Sequence, residues 1–211
     1  MKNKATVIST VLCLLPIALS VMLYNNLPDQ IAVHFDNAGN ADNYLPKALA
    51  AFGLPLLLAA INLYSHFRVT VDPKVKNSAA SLRTLAKWLI PVVSLIIMPI
   101  TLFMAIGKKV PIVMIVTAIA GLAVVISGNY LPKCKRNYTI GIKLSWTLDN
   151  EENWNRTHRF SGFVWTVGGI LIIINAFLEI PFLMIAIVAC LIVIPVVYSY
   201  IFSLHHNEFT C

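Results

Sequence analysis

Two groups of side chains in this sequence are of types that can do chemistry. The first is His158 together with His205, His206 and Cys211 near the carboxyl end. Imidazole and thiolate are the usual ligands of zinc, but these residues lack the paired-ligand intervals of established zinc motifs. The second is His34 with Asp29, Asp36 and Asp42. Three carboxylates can bind a cation or steer a basic peptide, and an acidic solvated loop accounts for them equally well. Neither group sets a nucleophile beside a base, so the sequence reads as a recognition protein rather than an enzyme, with no metal or cofactor expected. The four cysteines, Cys13, Cys134, Cys190 and Cys211, have no C-x-x-C spacing, and disulfides are not expected in a reducing compartment.

A recognition surface is better sought in the stretch 127–162, the longest polar interruption of the chain. It holds six of the sixteen Lys and Arg residues, two of the four Trp and three of the nine acidic residues. Asp149 followed by Glu152 predicts a helix start with a capping box, and Glu152 with Arg156 an ion pair one turn apart. Trp154, Thr157, His158 and Ser161 then share a face, which reads as an interfacial anchor, with a specific recognition face as the alternative. Upstream, Ile142, Leu144 and Trp146 alternate, so this part is expected to be extended and folded back on the bilayer surface.

The elements that position this stretch are membrane spans. Of the 211 residues, 58% are hydrophobic and 12% charged, with a mean hydropathy of +0.78. A soluble domain carries roughly twice that charge. Six apolar runs are expected to cross the bilayer, near 5–24, 45–65, 88–106, 110–126, 160–178 and 180–204, in one integral membrane domain covering 1–211. The fold class is therefore an all-α polytopic membrane protein.

Thirteen of the sixteen basic residues fall at the amino terminus, in the linker 66–87 or in the loop 127–159. By the positive-inside rule these face the cytoplasm, as do both termini. The +7 net charge thus needs no nucleic-acid partner. The loop 25–45 is acidic and faces outward; Ile31, Val33 and Phe35 alternate as a short strand, and Asn37, Ala38, Gly39 and Asn40 supply a turn. Pro46 is expected in the first turn of the second span and Pro55 as a bend within it. Asp72-Pro73 can begin a short helix in a linker otherwise read as topogenic and lipid-facing, or as a partner site. Gly162, Gly168 and Gly169 allow close helix approach, and Asn175 can bond between helices.

The order G-N-Y-L-P from Gly128 and Asn129, then N-Y-T-I-G-I-K-L-S-W-T-L from Asn137, then Trp154, Arg159 and Phe160, resembles the SdpI family of bacterial membrane immunity proteins. Asn137, Gly141, Ile142, Trp146, Thr147 and Leu148 match the family pattern N-x-x-I-G-I-R-T-P-W-T-L. The chain departs from it at Lys143, Leu144 and Ser145, where the family has arginine, threonine and proline. Residues 27–44, at Leu27, Pro28, Ile31, His34, Phe35, Gly39 and Asp42, resemble an uncharacterised segment commonly joined to this family.

The resemblance implies a protein of the bacterial cell membrane that protects the cell from a secreted antimicrobial peptide. It also implies a receptor that sequesters a cytoplasmic transcriptional repressor. On this reading the peptide meets the outer loop around Pro28, Ile31, His34, Phe35, Asp36, Gly39 and Asp42, and the repressor meets 133–159. A small-solute transporter or ion channel is the alternative, for which Asn62 and Asn175 are the intramembrane polar candidates.

Overall fold

The computed structural model describes residues 2–36 and 39–207, with side chains described for all of these except 2, 3, 181 and 205–207. The turn residues Asn37 and Ala38, and Cys211, lie outside the described residues, as do the side chains of His205 and His206. Among the described residues six helical stretches are long and apolar enough to cross a membrane: Lys4–Asn26, Leu49–Val71, Ala80–Ala105, Ile112–Lys133, Glu151–Leu178 and Phe182–Leu204. The fold is all-α and polytopic, with one two-stranded sheet after the first span.

The first span is α1 (Lys2–Leu14) and α2 (Pro16–Leu23), interrupted at Leu15 because Pro16 has no N–H to continue the ladder. The hairpin β1 (Gln30–Phe35) and β2 (Ala41–Pro46) follows, antiparallel, with Ile31 opposite Leu45 and Phe35 opposite Ala41. The strand expected at 30–35 is present. Its partner was not expected, because the polar residues Asp42 and Asn43 mask an alternating pattern. Pro46 therefore closes a strand rather than opening a helix.

The second span begins with a π-helical turn, Leu49–Gly53, and continues as α3 (Leu54–Val71). Pro55 leaves the Ala51 carbonyl without its intrahelical donor, and the Ser20 hydroxyl donates to that oxygen at 2.8 Å. The same solution recurs at Pro195: the carbonyl four residues back, Leu191, accepts from Trp165 Nε1 at 3.0 Å. Side chains of neighbouring helices thus repair backbone gaps that hydrocarbon could not hydrate.

The remaining spans are α4 (Ala80–Ala105), α5 (Ile112–Tyr130), α7 (Glu151–Leu178) and α8 (Pro181–Asn207), with the short helix α6 (Ser145–Asp149) between α5 and α7. Several helices run beyond their apolar runs: α3 passes Ser65 to Val71, α4 starts before Trp88, and α7 starts nine residues before Phe160. Hydropathy marks where a helix meets lipid, whereas the helix ends at its next break in hydrogen bonding.

The chain divides into two compact units, 1–67 with 86–116, and 68–85 with 117–211. In the first, Leu27, Ile31, Ala50, Ala51 and Leu102 form a buried cluster that includes the base of the hairpin. In the same unit His66, buried, has its ring nitrogens 2.9 Å from Thr6 Oγ1 and 3.0 Å from Ser9 Oγ.

In the second unit α5 and α7 meet along a glycine seam. A Cβ at Gly128 would lie 2.5 Å from the Thr166 nitrogen, and one at Gly169 2.7 Å from the Val125 nitrogen. Gly162 and Gly168 are equally tight, against Pro132 and Leu191, so the expected close approach is present at all three glycines of α7. Asn175 does not bond between helices. It closes the end of its own helix, with Oδ1 accepting from the Ile180 N–H at 3.3 Å and Nδ2 donating to the Ile180 carbonyl at 3.2 Å. Glu179 takes the left-handed conformation, φ 53°, that ends α7.

Candidate functional site: an ordered loop between the fourth and fifth spans

The loop from Leu131 to Asn150 is built from the inside by its polar residues. Asn137, fully buried, donates from Nδ2 to the Lys135 carbonyl at 3.0 Å, and its Oδ1 accepts from the N–H groups of Thr139 at 3.0 Å and Ile140 at 2.8 Å. An asparagine side chain folded onto the next turn in this way substitutes for backbone pairing. Gly141 then reverses the chain at φ +124°, and a Cβ there would run into His158 Nε2 and lie 3.0 Å from Trp154 Cη2. The absence of that atom lets the Ile142 N–H donate to His158 Nε2 at 3.0 Å.

Because Nε2 accepts, the His158 proton sits on Nδ1, which is 2.8 Å from the Trp154 carbonyl it donates to. The imidazole is neutral, stacked on Trp154 at 3.9 Å and 20°. Trp154 Nε1 donates in turn to the Cys134 carbonyl at 2.8 Å. Trp154, Thr157, His158 and Ser161 are all essentially inaccessible, at 0, 0, 1 and 0% exposure. The face read as an interfacial anchor is therefore the interior against which the loop folds. A tryptophan and a histidine four apart on a helix signal either use; the polar partners waiting upstream at Cys134 and Ile142 decide for the interior.

Residues 144–149 correct two further expectations. Ser145–Asp149 is helical rather than extended, so Ile142 and Trp146 do not alternate on a surface. Asn150, not Asp149, caps α7, with its Oδ1 accepting from the Asn153 N–H at 3.0 Å. The cap of α6 is unusual. Leu144 stands in the N-cap position and has no side-chain acceptor, so buried Thr147 reaches back, accepting the Leu144 N–H at 3.0 Å. Thr147 Oγ1 also lies 2.9 Å from the carbonyl of Ile142 and 2.9 Å from that of Leu144. Trp146 Nε1 donates to Ser199 Oγ at 3.0 Å and its ring meets Tyr200 edge-on. Asn153 Nδ2 donates to the Ser199 carbonyl at 3.0 Å, tying α7 to the same turn of α8.

The linker 72–79 belongs to this site, which sequence alone did not reveal. Asp72, at 6% exposure, accepts from the Lys74 N–H at 2.8 Å and from the Tyr138 N–H at 3.2 Å. Asn77 Nδ2 donates to the Arg136 carbonyl at 2.9 Å, and the Asn77 carbonyl accepts from the Lys135 N–H at 2.9 Å. The Ala79 N–H points at Cys134 Sγ, 3.2 Å away, and burial pushes that thiol's pKa up. Asp72 begins a turn here, with a single 3-10 turn at Val75–Asn77 following it.

The motif residues divide by what they touch. Asn137, Gly141, Ile142, Trp146, Thr147 and Trp154 hold the loop; Gly128 fits against Thr166; Phe160 stacks on Tyr198 at 4.4 Å; and the Leu148 carbonyl accepts from Arg136 at 2.9 Å. Asn129, Lys143 and Arg159 are exposed. Lys143 Nζ donates to the Thr139 carbonyl at 3.1 Å. With Lys76, Lys133 and Lys135, also exposed, these cations make the outer side of the loop basic. The expected Glu152–Arg156 pair is present at 2.8 Å.

In the hairpin His34 Nδ1 lies 2.5 Å from Asp42 Oδ1, both exposed, and Asp36 Oδ1 accepts from the Asn40 N–H at 2.8 Å across the turn. Pro28 and Gly39 are exposed, Phe35 and Asp36 partly so, whereas Ile31 at 1% exposure is in the core. Among the described residues no three His, Cys, Asp or Glu side chains converge as metal ligands.

Residues 133–199, the loop with α7 and most of α8, match the model of the SdpI/YfhL protein family. Over these residues the chain is similar to that family. Residues 11–59, with the hairpin at their centre, match a domain of unknown function, DUF1648. The chain is also 28% identical over 206 residues to the immunity protein SdpI of Bacillus subtilis (strain 168), covering 97% of each. No solved structure matches it.

Proposed function

We propose that the protein protects a bacterial cell from a secreted killing peptide that acts at the membrane, and that it couples this to the cell interior by holding a transcriptional repressor. The observation that carries the reading is the similarity, nearly end to end, to a protein named for immunity. Recognition rather than catalysis is the expected mode of action. The acidic hairpin, with His34, Asp36 and Asp42, faces outward and meets the peptide; the basic side of the loop, with Lys135 and Lys143, meets the repressor, and both this loop and the chain termini face the cytoplasm. Burial of Trp154, Asn137 and Thr147 supports a preorganised surface, one that loses little conformational entropy on binding.

The test is expression in a sensitive bacterium challenged with secreted peptides. Survival of expressing cells above empty cells is expected. D36A with D42A should reduce survival while membrane abundance is unchanged, and no difference in survival against any peptide would remove the reading.

Transport is the second reading, and one observation favours it. Asn62, fully buried within a span, donates to Ser9 Oγ at 2.9 Å and Thr10 Oγ1 at 3.1 Å while its Oδ1 has no hydrogen-bond partner among the described residues. Buried polar groups at membrane depth often serve a path. Ion flux in reconstituted vesicles that N62A abolishes would establish it; equal flux with and without protein would end it.

A further inference from the structure

The outer face of α7 and α8 is not uniformly convex. A groove of about 380 Å³ runs between them, lined by Phe163, Val167 and Leu171 of α7 and Ala186, Cys190 and Ile194 of α8. Glycine at 168 leaves room for the floor of the groove: a Cβ there would come within 2.5 Å of Leu191 Cδ2 and displace that side chain. From Phe163 to Leu171 the groove extends ~12 Å along the helix. Both helices are apolar spans, so hydrocarbon rather than water surrounds the groove.

We propose that this groove is a phospholipid site, in which one acyl chain fills the apolar channel and an anionic phosphodiester headgroup rests on Arg159. The charge is placed for it. Arg159, Phe163, Val167 and Leu171 follow one another at four-residue intervals and form one ridge of α7. Helical side chains lean toward the amino end, so the guanidinium reaches beyond the groove mouth, toward the membrane edge. Arg159 is exposed and has no hydrogen-bond or ion-pair partner among the described residues. Arg156, three residues earlier, is already held by Glu152 at 2.8 Å and lies over the Phe202 ring. The Phe160–Tyr198 stack pins α7 to α8 beside the mouth, which keeps the channel and the cation in register. A planar fork matched to phosphate oxygens, above a slot that only an apolar chain can fill, suits a phospholipid, and an anionic one is favoured over a zwitterionic one because its headgroup carries no cation of its own to repel Arg159.

The full-length protein in phosphatidylcholine nanodiscs, with a trace of lipid carrying a photoactivatable acyl chain, provides the test. Phosphatidylglycerol label should concentrate in residues 163–171 and 183–194, about five-fold above phosphatidylcholine label at equal amount. R159Q should erase that preference and leave the labelled positions unchanged, while R156Q should retain it. A186F, which fills the channel from an exposed position, should lower labelling in these segments by both lipids. Equal labelling by the two lipids, label scattered over all spans, an R159Q variant that keeps the preference, or crosslinks through the groove to a second copy of the chain would each overturn the proposal.

Discussion

Gly141 and Gly39 both have positive φ, at +124° and +80°, yet they should respond differently to alanine. Around Gly39 nothing lies within 4 Å of a Cβ, so Gly39→Ala should cost only backbone strain, ~1 kcal/mol. Gly141→Ala adds a collision with His158 and loss of the Ile142–His158 hydrogen bond, for about 3 kcal/mol or more. Thermal unfolding of the two variants in one detergent should rank them in that order, and equal midpoints would refute the account of the loop. Cys134 gives a second prediction. The thiol is 2% exposed and burial raises its pKa, so little thiolate forms at neutral pH and little reagent reaches it. Maleimide should modify Cys134 slowly in the native protein and quickly after denaturation, with the native rate still rising as pH passes the ordinary thiol range. Rapid native labelling at pH 7 would contradict its burial. At this scale the sequence named the motif residues but not their jobs: an asparagine that folds a turn and an asparagine that binds a partner are the same letter, and only the N–H groups of Thr139 and Ile140 distinguish them.

Helix α6 shows what an element loses when its cap is displaced. In the family pattern threonine and proline occupy the positions of Leu144 and Ser145, which here are the N-cap and first residue of α6. Threonine is a good N-cap, and proline at the first helical position is preorganised and gives up an N–H the helix does not use. Leu144 is already extended, φ −103° and ψ 153°, as a residue before proline prefers. The double variant L144T/S145P should therefore stabilise the loop by ~1 kcal/mol, read as slower proteolysis between Leu131 and Asn150 and a higher unfolding midpoint. A lower midpoint would mean that the Thr147 cap and a threonine at 144 compete. The spans themselves were legible, since long apolar runs separated by charge have few other solutions. What was not legible were the elements set by hydrogen bonds rather than hydropathy: the second strand, the helix at Ser145–Asp149 and the true cap at Asn150. Polar residues favour turns, caps and edge strands alike, so their pattern alone leaves the choice to tertiary partners.

Span parity has a physical check within each unit of the molecule. The linker after the second span bonds to the loop after the fourth, through Asp72 and Tyr138 and through Asn77 and Arg136, so these two lie on one side of the membrane. The hairpin after the first span shares a core with Leu102, Ala105 and Ile106 at the end of the third. Both pairings agree with strict alternation, and the excess of Lys and Arg is the ground for proposing that the linker and the loop face the interior. A cysteine reporter must be exposed, which rules out Cys134 and favours Lys135 and Asp42. In a chain freed of its own cysteines, K135C should react with a membrane-impermeant maleimide only in opened cells, and D42C in intact ones. The two labels bear on function as well as placement. If D42C labelling blocks protection by a secreted peptide while K135C labelling does not, the hairpin is where the peptide is met; the reverse result assigns that contact to the loop. Reaction of K135C in intact, sealed cells would invert the topology and remove the physical basis for a cytoplasmic partner on the basic surface.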